Sequence, residues 1–382
     1  MINLAQKDIS HTFGKFVVTA MGVGMLLGIV LIMIGVYRGL IVDATILVHD
    51  VSADIWVVQE DTLGPFAEAS RIHEDLKNTL KTTQGIDKAE AMTFQNIQLY
   101  TNNKPLRVTA VGYDPFGEIN PINAEHLIEG RTLKQSHYEV VVSSETGLKL
   151  NEKINLGRNQ YTVVGITKKT VASSGDPLIY LSLKDAQEVQ FSFSNATIRN
   201  DKARGNAQQS DLHLVNAIVC SVKKGYNIAL VANDISRWKH LSTFTQDEQE
   251  EILVKNVVEK SSKQIGLFTV ILVIVSTIII GLIIYTMTLE KIKEISIMKL
   301  IGIPDSIIIK MIVQETVLLG FFAFVFGNIF SYFTYDKFPK RVILEVPDAL
   351  MLFGVILVAS VIASFVGVGK VVHADPTVAI GG

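Results

Sequence analysis

LEKIKEISIMKLIGIPDSIIIKMIVQE, Leu289 to Glu315, is a short charge-bearing island between two long apolar runs. Ile265 to Leu289 precedes it with 25 uncharged residues, and Thr316 to Tyr335 follows with 20. At about 1.5 Å per residue each run can cross a hydrocarbon core of roughly 30 Å. The island is therefore a tight loop on one side of a membrane. Lys291, Lys293, Lys299 and Lys310 mark that side as cytoplasmic, because short cytoplasmic loops carry an excess of lysine and arginine.

Two further uncharged runs lie outside this pair. Phe16 to Tyr37 has 22 residues and Ala349 to Gly369 has 21. The first is too long for the apolar core of a signal peptide and lacks a small-residue cleavage site, so it reads as an uncleaved anchor. Of its glycines, Gly22, Gly24 and Gly28 are not a dinucleotide fingerprint, since no strand precedes them and the spacing is wrong. Ala20, Gly24 and Gly28 instead fall four apart and form a smooth helix face for close packing. Ser360, Ser364 and Gly367 offer a second such face, and Glu315 is a carboxylate costly near a membrane unless paired. It reads either as a lysine-paired or snorkelling group or as a packing residue at a subunit interface.

The expected organisation follows. Residues 1–15, with Ile2, Ala5, Ile9, Phe13 and Phe16 on one stripe, form an interfacial helix. Residues 16–41 are the first span, and 42–263 an extracytoplasmic domain of α+β class. Residues 264–289 are the second span, 290–306 the cytoplasmic loop, and 307–335 the third span. Residues 336–348 connect outside, 349–370 are the fourth span and 371–382 a cytoplasmic tail. Alternation predicts strands at Asp54 to Val58, Lys104 to Tyr113, Glu139 to Ser143 and Tyr161 to Thr167, and a helix over Ile72 to Leu80. The polar stretch 195–211 reads as an excursion. Thr245 and Glu248 make a capping box opening the stalk 246–263, with Ile252, Leu253 and Val257 on one side. With no breaker before Ile265, the expected rod is one helix from Gln246 to Lys293. After the loop, Asp305 is the expected N-cap of a helix that carries Glu315 one to two turns in.

The chemistry classes can be narrowed. The chain has 382 residues, 48% hydrophobic and 19% charged, with net charge −2, which gives no case for nucleic acid. One cysteine, Cys220, allows no intrachain disulfide and reads as a buried structural thiol. Gly367 to Lys370 resembles the end of a phosphate-binding loop but lacks its first glycine. His73-Glu74 has no second histidine four residues on, and no G-x-S-x-G elbow occurs. No metal site, no catalytic residue and no cofactor in this chain are expected.

Several stretches together resemble the FtsX/MacB-type permeases of ABC transporters. The loop run Glu290-Lys291-Ile292-Lys293-Glu294-Ile295-Ser296-Ile297-Met298-Lys299-Leu300-Ile301-Gly302 is similar to that family's, as is the terminal run Asp375 to Ile380. Glu129-Gly130-Arg131, Tyr138 to Ser143 and Tyr161 to Ile166 resemble its outer-domain pattern. The ADIWVV run from Ala53 and the length are similar to the stand-alone DevC-like branch. The resemblance implies a membrane subunit at the cell inner membrane, both termini cytoplasmic, paired with a second permease chain, identical or related. It implies a separate cytoplasmic ATPase holding ATP and Mg, a periplasmic adaptor in a diderm host, and contact with membrane lipid. Mechanotransmission from loop to outer domain would then export or extract lipid, lipoprotein, peptide or drug substrates. An FtsX-like protein that signals to an outer partner without transport is the alternative. In either case Ile292, Ile295, Met298 and Ile301 are expected to seat in an ATPase groove. Glu290, Lys291, Lys293, Glu294 and Lys299 form the charged rim, and Gly302 ends the helix.

Overall fold

The computed structural model describes residues 13–66, 70–101, 104–192, 213–338 and 340–372. The expectations placed on residues 1–12, 195–211 and 373–382 lie outside them. The chain divides into two compact units, one of residues 1–40 with 261–382 and one of Ile41–Lys260.

Helix α1, Phe13–Val51, starts in the first unit and ends in the second. Its 39 residues reach roughly 58 Å at 1.5 Å per residue, nearly twice a hydrocarbon core. This corrects the expected end at residue 41. The helix continues because Leu47, Val48 and Val51 are still apolar and pack into the α+β core beside Trp56 and Tyr113.

That core is built on a ten-stranded sheet. In chain order it uses β1 (Ile55–Gln59), β3 (Ile86–Thr101), β4 (Lys104–Tyr113), β5 (Leu127–Gly130), β6 (Glu139–Ser143), β7 (Lys153–Leu156), β8 (Asn159–Thr167), β9 (Leu178–Ser182), β11 (Ala217–Val222) and β12 (Leu241–Thr245). The order is β12-β1-β11-β3-β4-β9-β6-β8-β5, with β7 paired to β8. Three short helices, α2 (Leu76–Lys81), α3 (Leu183–Ser192) and α4 (Ile228–Ser236), pack on it. Gly112 on β4 has no room for a side chain against Ala186 and Thr93, which lets α3 lie close to the sheet. The predicted helix over Ile72 to Leu80 is corrected. Ile72–His73 is strand β2, paired with β10 (Leu214–Val215), and only Leu76–Lys81 is helical. A partner some 140 residues away decides this, and no local period reveals it. Cys220 is fully buried on β11, and burial pushes its thiol up to about 12.

The Thr245–Glu248 capping box is present and starts α5 (Gln246–Leu253). The expected uniform rod is corrected twice. A π-helical turn occupies Val254–Val258 before α6 (Glu259–Glu290), and the helix then breaks at Lys291 rather than continuing to Lys293. A π turn carries one extra residue, so one apolar stripe cannot run through it.

In the first unit, α7 (Ile292–Leu300), α8 (Asp305–Thr334) and α9 (Val346–Val372) complete the bundle with α1 and α6. Asp305 is the first helical residue behind Pro304 and does not cap, and Glu315 lies nearly three turns inside α8. α9 begins at Val346, inside the expected connection, because Pro347 is tolerated in a first turn. Among the described residues, four helices are long and apolar enough to cross a membrane. Their common core includes Leu27 and Val30, Ile280 and Ile284, Leu319 and Ala323, and Leu352 and Ile356.

The small face of α1 packs on α8. A Cβ on Gly24 would stand 2.7 Å from the Ala323 carbonyl oxygen, and one on Gly28 would stand 2.9 Å from that of Gly327. A Cβ on Gly327 would in turn stand 2.8 Å from the Gly24 carbonyl. Ala20 is fully buried on the same side. Ser360 lies against Gly320, and Ser364 is buried with its hydroxyl donating 2.6 Å to the Val361 carbonyl. Gly367 is within α9. Gly24→Leu is expected to force α1 and α8 apart and cost about 2 kcal/mol or more. A lower midpoint of detergent-solubilised thermal unfolding checks this, with Gly22→Leu as the control because Gly22 faces open space.

In the α+β unit the buried Glu139 accepts from Arg131 Nη1 at 3.1 Å and Nη2 at 2.5 Å, and from the backbone N–H groups of Lys134 and Gln135 at 2.8 and 3.1 Å. The Arg131 hydrogen bond holds its carboxyl below the ordinary value of 4.5. The carboxylate thus stabilises the fold above that value, and the contribution is lost as pH falls through the depressed folded pKa. Glu139→Gln is expected to lower stability by about 2 kcal/mol at pH 7. Thermal melts from pH 7 down to 3 should show the gap to the parent closing on the acid side.

Candidate functional site

The charge island folds as a turn, a short helix and a second turn. At Lys291 the backbone leaves helical geometry with φ −93° and ψ 7°. The Lys291 ammonium donates to Glu315 Oε1 of α8 at 2.7 Å, and both side chains are nearly buried. Of the two readings of Glu315, the structure gives the ion pair within the chain. Neither glycine nor proline marks this break. The pull of a buried carboxylate on Lys291 accompanies it, and α7 starts from there.

The other end of α7 is closed by its own backbone. The Gly302 N–H donates to the Lys299 carbonyl at 3.0 Å and the Ile303 N–H to that of Met298, also at 3.0 Å. This is a Schellman motif, which requires its left-handed residue at Gly302, φ +88°. Met298 and Ile303 both pack against the bundle core, supplying the apolar contact that accompanies such an end. Lys299 then pairs with Asp305 at 3.1 Å, so the turn into α8 is tied on both sides.

The helix presents apolar residues on two sides, and the structure reverses part of the expected assignment. Ile295 is 1% exposed and Met298 packs beside it, so neither faces outward. Ile292 is half-buried, and Lys291 belongs to the buried pair and not to a rim. Lys299 is mostly covered. The outward apolar set is Ile297, 51% exposed, Leu300, 49%, and Ile301, 72%. Glu290, Lys293, Glu294 and Gly302 are exposed around it, with Glu290 also 3.0 Å from Lys15. Ile297 and Leu300 were missed because an isoleucine-rich helix has no unique apolar face. The available signal was the spacing of Lys293, Ile297, Leu300 and Ile301, which share one side at i, i+4, i+7 and i+8.

Comparison with known proteins bears on this arrangement of a helix-bounded loop, four spans and an inserted α+β unit. The MacB-like periplasmic core domain profile matches residues 16–238, and the FtsX-like permease C-terminal profile matches residues 266–376. The chain belongs to the FtsX/MacB-type ABC transporter permeases. An uncharacterised ABC transporter permease of Mycobacterium tuberculosis is 23% identical over the full length of both chains. A Staphylococcus epidermidis permease named for hemin transport, HrtB, is 20% identical over all of this chain and 99% of its own. The periplasmic region of MacB from Actinobacillus actinomycetemcomitans aligns with TM-score 0.35 at 13% identity, covering 53% of this chain and 92% of that one. As an FtsX/MacB-type permease, the protein is a membrane protein with an extracellular α+β domain between its first two spans. Among the described residues no cluster of metal-binding side chains occurs.

Removing one partner of the Lys291–Glu315 pair strips a nearly buried charge of its 2.7 Å counter-ion, which costs about 3 kcal/mol. Lys291→Met and Glu315→Leu are each expected to lower the unfolding midpoint of the permease in detergent. The double variant should recover most of the loss, and a thermal double-mutant cycle measures the coupling.

Proposed function

We propose that this permease works with a separate cytoplasmic ATPase, and that α7 is the element the ATPase grips. The reading is supported by one observation above all. A short helix fixed at both ends exposes Ile297, Leu300 and Ile301, ringed by Glu290, Lys293 and Glu294. Such a layout suits docking of a helix in a groove, with an apolar centre and a polar rim. ATP and Mg belong to that partner, and no cofactor is assigned to this chain. Both termini are cytoplasmic in this reading, since four spans return the chain to its starting side.

The work done is mechanical transmission. Force enters at α7, and the helical crossings of α1 and of the α5–α6 rod carry it to the extracellular domain. Two permease chains, identical or related, act together, and a periplasmic adaptor joins them in a diderm host. Lipids, lipoproteins, peptides or drugs are the substrate classes, exported or extracted from the outer side of the membrane.

The test co-expresses the tagged permease with its nucleotide-binding subunit. Ile297→Ser with Leu300→Ser is expected to reduce the ATPase recovered by about tenfold or more, since two apolar contacts worth about 1.5 kcal/mol each are lost. Membrane yield of the permease should be unchanged. Ile295→Ser, on the inward side, should lower permease stability instead. Undiminished ATPase recovery with the double variant would sink the assignment.

A further inference from the structure

At the end of the bundle where α1 leaves for the α+β domain, a cavity of about 390 Å³ opens between α1, α8 and the start of α9. Its size lies in the range of small-molecule sites, roughly 300–1,000 Å³. Leu31, Ile34, Ile329, Tyr332, Phe333 and Val346 make it apolar. Asn328, Glu345 and Asp348 are the polar side chains at its wall that bear on a ligand head.

Donor and acceptor bookkeeping decides what the polar side can recognise. Arg38 on α1 is the cation beside these acids. Its Nε and Nη2 donate to Asp348, the latter at 2.8 Å, and its Nη1 lies 3.0 Å from Glu345 Oε2. All three guanidinium nitrogens already face carboxylate oxygens. Two carboxylates against one guanidinium leave one net negative charge. Asn328 spends its amide nitrogen on the Phe324 carbonyl at 2.9 Å, which leaves its oxygen as an acceptor. Lys337, Lys340 and Arg341, on the same connector, are not among the residues lining the cavity. The cavity therefore combines apolar walls with spare acceptors, excess negative charge and an engaged cation. Glu345 is the reachable acid, its side chain 45% exposed against 14% for Asp348.

We propose that this cavity binds an amphiphile with one apolar tail and a primary ammonium head, the head donating to Glu345 and Asn328. A carboxylate or phosphate head would meet Glu345 and an arginine already taken. A hydroxyl head could satisfy one acceptor but not the charge. Tyr332 at the rim suits the water–lipid boundary, where such a head sits. The site needs a bilayer or micelle and no ATPase, so it stands or falls apart from the docking reading of α7.

The experiment uses the full-length permease in phosphatidylcholine nanodiscs. A hexadecylamine carrying a tail diazirine is photolysed, and labelled peptides are mapped by mass spectrometry. Labelling is expected within Ile329–Phe333 or Leu344–Ala349. Unlabelled hexadecylamine should compete at concentrations about tenfold below hexadecanol or hexadecanoate, the factor that about 1.4 kcal/mol supplies. Glu345→Gln should erase most of that preference, and Glu345→Lys should turn it toward hexadecanoate. Thermal melts of both variants should match the parent, because this side chain is half exposed. Equal competition by the three compounds would mean that bilayer lipid fills the cavity without selection, and would overturn the proposal. So would labelling confined to other segments, no labelling, or Glu345 variants that compete like the parent.

Discussion

Between α1 and α8 the chain brings two backbones into contact. Gly24 and Gly28 meet Ala323 and Gly327 with no space for a Cβ on any of the three glycines. Inside lipid, apolar side chains gain little by meeting each other, so close van der Waals packing holds helices together. The seam is the part of the bundle that cannot be loosened by degrees. It anchors α1, which is also the helix whose last turns enter the core of the extracellular domain. Both ends of the protein thus depend on one helix held by missing side chains.

The loop between the second and third spans uses different physics. Its geometry comes from one buried ion pair and from backbone hydrogen bonds at a left-handed glycine. The ion pair carries little net stability of its own, since both ions are desolvated. What it supplies is position: it holds the Lys291 ammonium 2.7 Å from Glu315 Oε1 on the neighbouring helix. The Gly302 end adds a stop made by local backbone bonds to the Met298 and Lys299 carbonyls.

Much of this was readable from residues alone, for identifiable reasons. The four spans were legible because uncharged runs of 20 or more residues leave a folding chain no alternative in a bilayer. The Thr245–Glu248 cap was legible because its two hydrogen bonds are local. The extension of α1 to Val51 was not, because an apolar residue looks the same in lipid and in a protein core. The break at Lys291 depends on a residue 24 positions away, and strand β2 on one about 140 away. The outward face of α7 stayed ambiguous since isoleucines stand on both sides of it. Only packing of Ile295 into the bundle chooses between them.

The two fixed ends of α7 bear on how anything could bind it. A loop that becomes helical on contact must be ordered at that moment, at a cost of about 1–2 kcal/mol per residue in backbone freedom. Here that entropy is surrendered when the chain folds: Lys291 is held at one end, and the glycine turn closes the other. A partner therefore meets a preorganised surface, and its affinity rests on the few side chains it covers. Encounter then resembles the docking of two rigid bodies, without the lag of a folding step.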